Sequence, residues 1–205
     1  MLAAAMTLGP VAALAQNANV AVPTPEAAAS AGLLGSRYSE VAYNYTDLPG
    51  SKHADGFGLN FNQPLRANLD FTAGYNWSKA DFGAFDVKVQ DLQAGVRGFT
   101  TLSWGRPYAE ASVGWEWAKA AGIHDDSFAY RVGVGAEFQV APALVVTPFV
   151  NFVRATGFNA SEVELGAKVT YRLNREWSLT ARAQYEAVRH DRDSAEYSVG
   201  AIFHF

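Results

Sequence analysis

Histidine and aspartate residues occur together at three places in this 205-residue chain, around His53, His124 and His190. A His–Asp pair can activate a water molecule by general-base catalysis, and imidazole with carboxylate can also hold a divalent cation. Either chemistry requires two of these segments to meet in space. The simpler interpretation is that these polar residues solvate the tips of loops. The candidate outer loop site consists of His124, Asp126, His190 and Asp191.

The elements that must position these groups are β-strands, because apolar and polar residues alternate from Arg37 to the last residue. Between residues 162 and 173, for example, Leu165 and Val169 alternate with Glu164 and Lys168. A helix would distribute the apolar side chains around its axis instead of along one face. The alternation predicts ten strands, at 37–46, 55–62, 68–79, 88–99, 107–119, 128–140, 144–154, 162–173, 177–188 and 195–205.

Ten such strands predict an all-β fold, a closed antiparallel up-and-down transmembrane β-barrel, with eight strands as the alternative. A strand of about 11 residues tilted by about 45° rises about 26 Å, close to the apolar band of an outer-membrane barrel. Tight turns alternate with longer polar connections such as 120–127 and 189–194, which predicts that both termini lie in the periplasm. Pro148 interrupts the seventh segment and predicts a bulge there, or a strand that starts late.

The positions of the aromatic residues favour a membrane barrel over a soluble barrel of the lipocalin type, which would place its apolar side chains inward. Threading the strands up and down produces two aromatic levels around an aliphatic waist, as expected at the two membrane interfaces. One level contains Tyr43, Tyr45, Phe57, Tyr75, Trp77, Trp115, Trp117, Phe128, Tyr130, Tyr185 and Tyr197, and the other contains Phe61, Phe71, Phe138, Tyr171, Trp177, Phe203 and Phe205.

The opposite face of the strands carries charged residues, which a transmembrane barrel must point into its lumen. We predict that five cations and five anions form an internal salt-bridge network that closes the lumen to most solutes and leaves no strong ion-selective field. The predicted network consists of Arg97, Glu110, Glu116, Arg131, Glu137, Glu164, Lys168, Arg172, Arg182 and Glu186.

Composition limits the remaining possibilities. The 16 basic and 20 acidic residues leave no basic surface for nucleic acid. The absence of cysteine excludes disulfides, thiolate metal sites and a cysteine nucleophile. We predict no cofactor and no dedicated metal site. Residues 1–15 read as a signal peptide that ends in Ala13-Leu14-Ala15, residues 16–36 as an Ala/Pro-rich periplasmic leader, and residues 37–205 as the barrel.

The last strand resembles the closing strand of bacterial outer-membrane barrels, because Tyr197, Val199, Phe203 and Phe205 share one face and the sequence ends on an aromatic residue. The chain from Arg37 onward is similar to the small Gram-negative outer-membrane barrel proteins of the OmpA-like and porin-like group. The resemblance implies export to the cell outer membrane and insertion by the barrel-insertion machinery, which would read these four residues. It also implies contact with outer-membrane lipids and lipopolysaccharide.

These observations predict a non-enzymatic outer-membrane barrel with a structural or narrow-pore role. The alternative is an outer-surface protein that binds cations or lipopolysaccharide, or that acts in adhesion. A third possibility is an outer-membrane hydrolase that uses the loop His and Asp residues or modifies lipid. The ten strands resemble those of the omptin-type proteases, although the connections are too short for the tall cleft of that family. The sequence does not determine the oligomeric state or a transported solute.

Overall fold

The structure is a computed structural model that describes residues 32–50, 52–83, 85–188 and 193–205. It confirms the predicted closed ten-stranded antiparallel barrel, in which each strand pairs with its neighbours in sequence and β1 closes on β10. The strands are β1 Tyr38–Leu48, β2 Lys52–Arg66, β3 Leu69–Asp81, β4 Asp86–Phe99, β5 Arg106–Ala120, β6 Ile123–Ala141, β7 Leu144–Ala155, β8 Ala160–Arg172, β9 Trp177–Val188 and β10 Ser194–His204. The predicted signal peptide and residues 16–31 of the predicted leader lie outside the described residues. Within the described residues, no helix is long and apolar enough to cross a membrane.

We call the end of the barrel where β1 begins and β10 ends the terminal rim, and the opposite end the distal rim. At the distal rim β5 and β6 extend further than the sequence suggested. Their ladder continues to the pair Ala120–Ile123, and the turn between them consists of Ala121 and Gly122, with φ angles of 49° and 83°. Positive φ at both central positions is typical of the type I′ turn that joins twisted strands. The predicted long connection 120–127 is therefore wrong.

Pro148 was predicted to cause a bulge or a late strand start, and neither occurs. Strand β7 runs through Pro148, which pairs with Ala167 of β8. On the other side, the β6–β7 ladder stops after Gly135–Phe149 and resumes at Phe138–Val146 in the same register. Because proline has no N–H, the missing hydrogen bond faces β6 and is tolerated as a local gap in one ladder.

The two faces of the sheet are opposite in character, with apolar side chains outward and charged side chains inward. In β8 the side chain of Leu165 is 58% exposed, whereas the adjacent Glu164 is 2% exposed. The same alternation occurs in β10, where the outward Val199 is 60% exposed and the inward His204 is 8% exposed. Burying a carboxylate while leaving leucine and valine outside is unfavourable in water, so lipid is the medium that this surface fits.

The outward aromatic residues contact one another across strands and form the two predicted levels. Phe57 stacks on Trp77 with ring centroids 5.6 Å apart near the distal rim. Near the terminal rim, Phe205 stacks on Phe61 of β2 at 6.3 Å. This contact passes over β1 and so spans the junction where β1 pairs with β10. Amphipathic rings at both ends of an aliphatic surface are typical of a membrane-spanning barrel.

Candidate functional site

The lumen is the candidate functional site, because the polar and charged side chains of all ten strands converge there. Among the described residues, five ion pairs lie inside it, with side chains that are buried or half-buried. They are Arg97–Glu110, Arg106–Glu137, Arg131–Glu164, Lys168–Glu40 and Arg182–Glu196.

Two of these pairs join strands that are not neighbours and so reach over the intervening strands inside the lumen. Lys168 of β8 places Nζ 2.7 Å from Oε2 of Glu40 of β1, although β9 and β10 lie between these strands. Thr180 donates to the other oxygen of Glu40 at 2.9 Å. Arg131 of β6 holds Glu164 of β8 through both guanidinium nitrogens, at 2.9 and 3.0 Å. Bidentate and buried pairs of this kind fix side chains in one arrangement.

The terminal mouth of the lumen is covered by the segment Gly32–Ser36, which we call the mouth segment. Leu33 and Leu34 are 6% and 4% exposed. Their backbone N–H groups both donate to Oε1 of Glu137, at 2.7 and 3.2 Å. Arg106 donates to the carbonyl of Leu34 at 2.6 Å. The predicted leader, residues 16–36, therefore ends inside the barrel.

Two further lumen side chains complete the binding of the mouth segment. The N–H of Gly35 donates to Asp70 at 2.9 Å, and Asn62 donates to the carbonyl of Ser36 at 2.7 Å. Gly35 has φ of +72°, and a Cβ there would lie 3.0 Å from the ring of Phe99. Glycine is required for this bend and close approach. The polar backbone of the segment is thus satisfied by side chains from several strands.

The charge of the lumen differs from the predicted balance. Away from the strand ends at the distal rim, six inward charged residues in the described part of the chain were missed, and five of them are acidic: Glu40, Asp70, Asp91, Arg106, Glu162 and Glu196. Each of these residues lies at an alternate position of its strand, on the same side as a predicted lumen residue or a small polar residue. The alternation could therefore have identified them as inward-facing.

Beyond the five ion pairs, the lumen has a negative bias. Additional carboxylates face inward at Asp70, Asp91, Glu116, Glu162 and Glu186. Away from the distal rim, Arg172 at the terminal end of β8 is the one further inward cation among the residues that the structure describes. The prediction of equal charge is therefore wrong, and the lumen is acidic.

Uncharged polar groups pack the distal half of the lumen. Asn151 donates to Glu164 at 2.8 Å, and Gln184 donates to Glu186 at 2.7 Å. A Cβ on Gly133 would lie 2.0 Å from Oδ1 of Asn151, so a larger residue there would displace the Asn151 side chain. A small, partly open cavity bounded in part by Asp91, Gln93, Ser112 and Arg131 has a volume of about 20 Å³. That volume holds about one water molecule.

All ten predicted network residues lie on inward positions of their strands. Seven of them belong to the five ion pairs. Glu186 accepts hydrogen bonds from Gln184 and from Ser194 instead. The closing-strand residues Tyr197, Val199, Phe203 and Phe205 all face outward and are exposed. That the insertion machinery reads them stays a prediction.

The predicted loop site is brought together only in part. His124 and Asp126 lie two residues apart on the outward face of β6, and Asp126 accepts a hydrogen bond from Nε1 of Trp115 at 2.7 Å. His190 and Asp191 lie outside the described residues. Within the described part of the chain, no group of three or more His, Cys, Asp or Glu residues could hold a metal ion. A catalytic or metal role for this site is untested, and the non-enzymatic interpretation stays a prediction.

Comparison with solved structures supports the architecture. The chain is similar to an outer-membrane channel from Pseudomonas putida F1, with a TM-score of 0.54, 8% identity, and coverage of 84% of this chain and 96% of that one. It is also similar to the translocator domain of the autotransporter NalP from Neisseria meningitidis, with a TM-score of 0.52, 11% identity, and coverage of 83% and 88%. No protein-family model and no curated protein sequence matches the chain.

At these identities the similarity concerns the fold alone. The fold is that of the Gram-negative outer-membrane β-barrel proteins, as the resemblance of the closing strand implied, and the outer membrane is the location that it supports.

Proposed function

We propose that this protein is an integral outer-membrane barrel whose lumen is closed apart from, at most, a narrow path, so that its role is structural or that of a narrow pore. The observation that carries the proposal is the mouth segment, which side chains from several strands bind across the terminal end of the lumen. The ion pairs that reach over intervening strands occupy part of the lumen further inside and support the same conclusion.

The strand number also supports this proposal. Barrels of about eight strands are filled by side chains, whereas water channels occur at about 16 to 18 strands. With ten strands, the lumen has little width beyond what the ion pairs and amide side chains occupy. Any remaining path is lined by excess carboxylates, which attract cations and repel anions.

We predict that the purified protein in a planar lipid bilayer gives no steady large openings. Any small conductance should favour potassium over chloride, because the lumen is acidic. The reversal potential under a potassium chloride gradient measures this preference. Steady large openings would refute the closed lumen, and a chloride preference would refute the role of the inward carboxylates.

A further inference from the structure

The two faces of the barrel exchange character where β4, β5 and β6 extend beyond the distal aromatic level. On the outward side, Lys119 of β5 lies directly opposite His124 of β6. On the inward side, Val87 lies opposite Ala120, and Ala120 lies opposite Ile123. The inward apolar residues at this height, which we call the apolar wall, are Val87, Val89, Ala118, Ala120 and Ile123.

The apolar wall is accessible from the distal mouth of the lumen. Ile123 is 72% exposed, and Asp125, opposite Ala118, adds a carboxylate beside it. At the tip of the neighbouring β3–β4 hairpin, Phe85 is 43% exposed and stacks on Phe82 with ring centroids 5.6 Å apart. This inward surface has no contact with lipid. Exposed apolar patches bordered by polar residues are typical of binding surfaces.

Four inward carboxylates lie below the apolar wall, and we call Asp91, Glu116, Glu162 and Glu186 the acidic floor. Asp91 lies directly opposite Glu116. Glu162 of β8 is near enough to Glu116 of β5 and to Glu186 of β9 for their charges to repel one another. All four side chains are half-buried. The floor is therefore a concentration of negative charge that solvent reaches from the distal mouth.

The cations near the acidic floor are engaged elsewhere. Arg131 and Arg182 belong to the ion pairs described above. Lys52 faces inward at the rim, where its Nζ lies 4.2 Å from the centre of the Phe82 ring. In the described parts of the chain, no ion pair joins a cation to a carboxylate of the floor.

The described hydrogen-bond donors to the floor are neutral side chains. Asn76 donates to Asp91 at 2.9 Å, and Gln184 donates to Glu186 at 2.7 Å. A carboxylate that accepts from a neutral donor keeps its charge. Gln184 is 7% exposed, and its buried Oε1 accepts no hydrogen bond from any described residue. Because an unpaired buried acceptor is unfavourable, this amide beside Glu186 indicates a place for a donor that carries positive charge.

The dimensions of the distal mouth indicate which kind of cation fits. No three acidic or histidine side chains among the described residues converge closely enough to hold a metal ion. Along β5, Glu116 of the floor and Ala120 of the wall are four residues apart, which is about 13 Å in a strand. A ligand that contacts both surfaces is therefore elongated, with positive charge at one end and apolar groups along its length.

We propose that the distal mouth binds a basic peptide segment with apolar side chains. A lysine or arginine side chain of the peptide enters the mouth and reaches the acidic floor, where its N–H groups pair with carboxylates and with Oε1 of Gln184. The apolar side chains of the peptide lie on the wall. The proposal rests on the proposed function, because a lumen closed at its terminal mouth makes the distal end a blind site that holds a ligand without passing it through.

The test measures binding of a fluorescein-labelled hexapeptide of alternating lysine and phenylalanine, with capped ends, to the full-length protein in uncharged detergent micelles by fluorescence anisotropy. We expect E162Q/E186Q to bind this peptide about tenfold more weakly than the unaltered protein, because two charged partners are lost from a half-buried site. The matched control D47N/D55N removes two carboxylates from the outward face near the same rim, and it should bind as the unaltered protein does.

A second variant and two further peptides test the apolar wall. V87T/I123T keeps the branched side chains but makes them polar, and it should bind about fivefold more weakly because apolar contact is lost. A peptide with serine in place of phenylalanine, or with glutamate in place of lysine, should bind the unaltered protein much more weakly than the original. Equal binding by E162Q/E186Q and D47N/D55N would overturn the proposal. Equal affinity for the serine-containing peptide would also overturn it, since the site would then attract any cation.

Heat-modifiable migration on gels reports whether each variant forms a barrel, and planar-bilayer recording reports whether its lumen is closed. A folded and closed barrel whose peptide binding does not depend on the floor or the wall refutes only this inference. Steady large openings of the unaltered protein refute the proposed function, whatever the peptide does.

Discussion

Replacing Glu137 by alanine is expected to raise the conductance of the reconstituted barrel several-fold. The Glu137 carboxylate is 4% exposed and binds the N–H groups of Leu33 and Leu34 together with Arg106. Without it, two buried N–H groups and a guanidinium lose their acceptor. Each unsatisfied buried group costs about 1–3 kcal/mol, so the mouth segment should leave its site for much of the time.

The same substitution should also lower the stability of the barrel. Removing one partner of a buried ion pair typically costs about 3–5 kcal/mol, which denaturant unfolding in lipid vesicles would detect. The control is Glu176→Ala, which removes one carboxylate from an exposed turn at the same rim. Unchanged conductance in a folded Glu137→Ala variant would show that the mouth segment does not close the lumen.

Leu165→Lys is expected to destabilise the barrel by about 2–4 kcal/mol, because it places a cation on the lipid-facing surface near mid-depth. The leucine is 58% exposed on the outside of β8. The matched variant Gln184→Lys adds the same charge to the inward face of β9, where Gln184 already contacts Glu186 at 2.7 Å. It should change the free energy of unfolding much less.

Equilibrium unfolding in lipid vesicles, followed by tryptophan fluorescence, measures both variants. The folded fraction from heat-modifiable migration provides a second readout. The order of the two effects is decisive, because both variants gain one positive charge. If Gln184→Lys proved the more harmful and Leu165→Lys were tolerated, the assignment of the two faces would be reversed.

The strand pattern was readable from the sequence because the lipid and the lumen impose opposite requirements on alternate residues. The extension of β6 was missed because His124, Asp125 and Asp126 are polar on both faces and resemble a loop. Beyond the membrane interface, water contacts both faces of the strand. Polar residues can therefore occur on both faces there, and the sequence no longer shows the alternation that identifies a strand.

The partners within the lumen could not be predicted from the sequence. Glu40 and Lys168 are 128 positions apart, and their contact depends on the closure and stagger of the whole barrel. The mouth segment was hidden for a similar reason. Its small and apolar residues carry no charge, and the groups that hold it, such as Glu137 and Asp70, belong to distant strands.

The outward orientation of the apolar face is tested most directly by site-directed spin labelling along β5. The chain has no cysteine, so single-cysteine variants from Ala109 to Glu116 can each be labelled in lipid vesicles. Oxygen concentrates in the bilayer core, and collisions with the label report contact with lipid. We expect high oxygen accessibility at Ala109, Ala111, Val113 and Trp115, and low accessibility at the positions between them. Maxima at Glu110, Ser112, Gly114 and Glu116 would contradict the account.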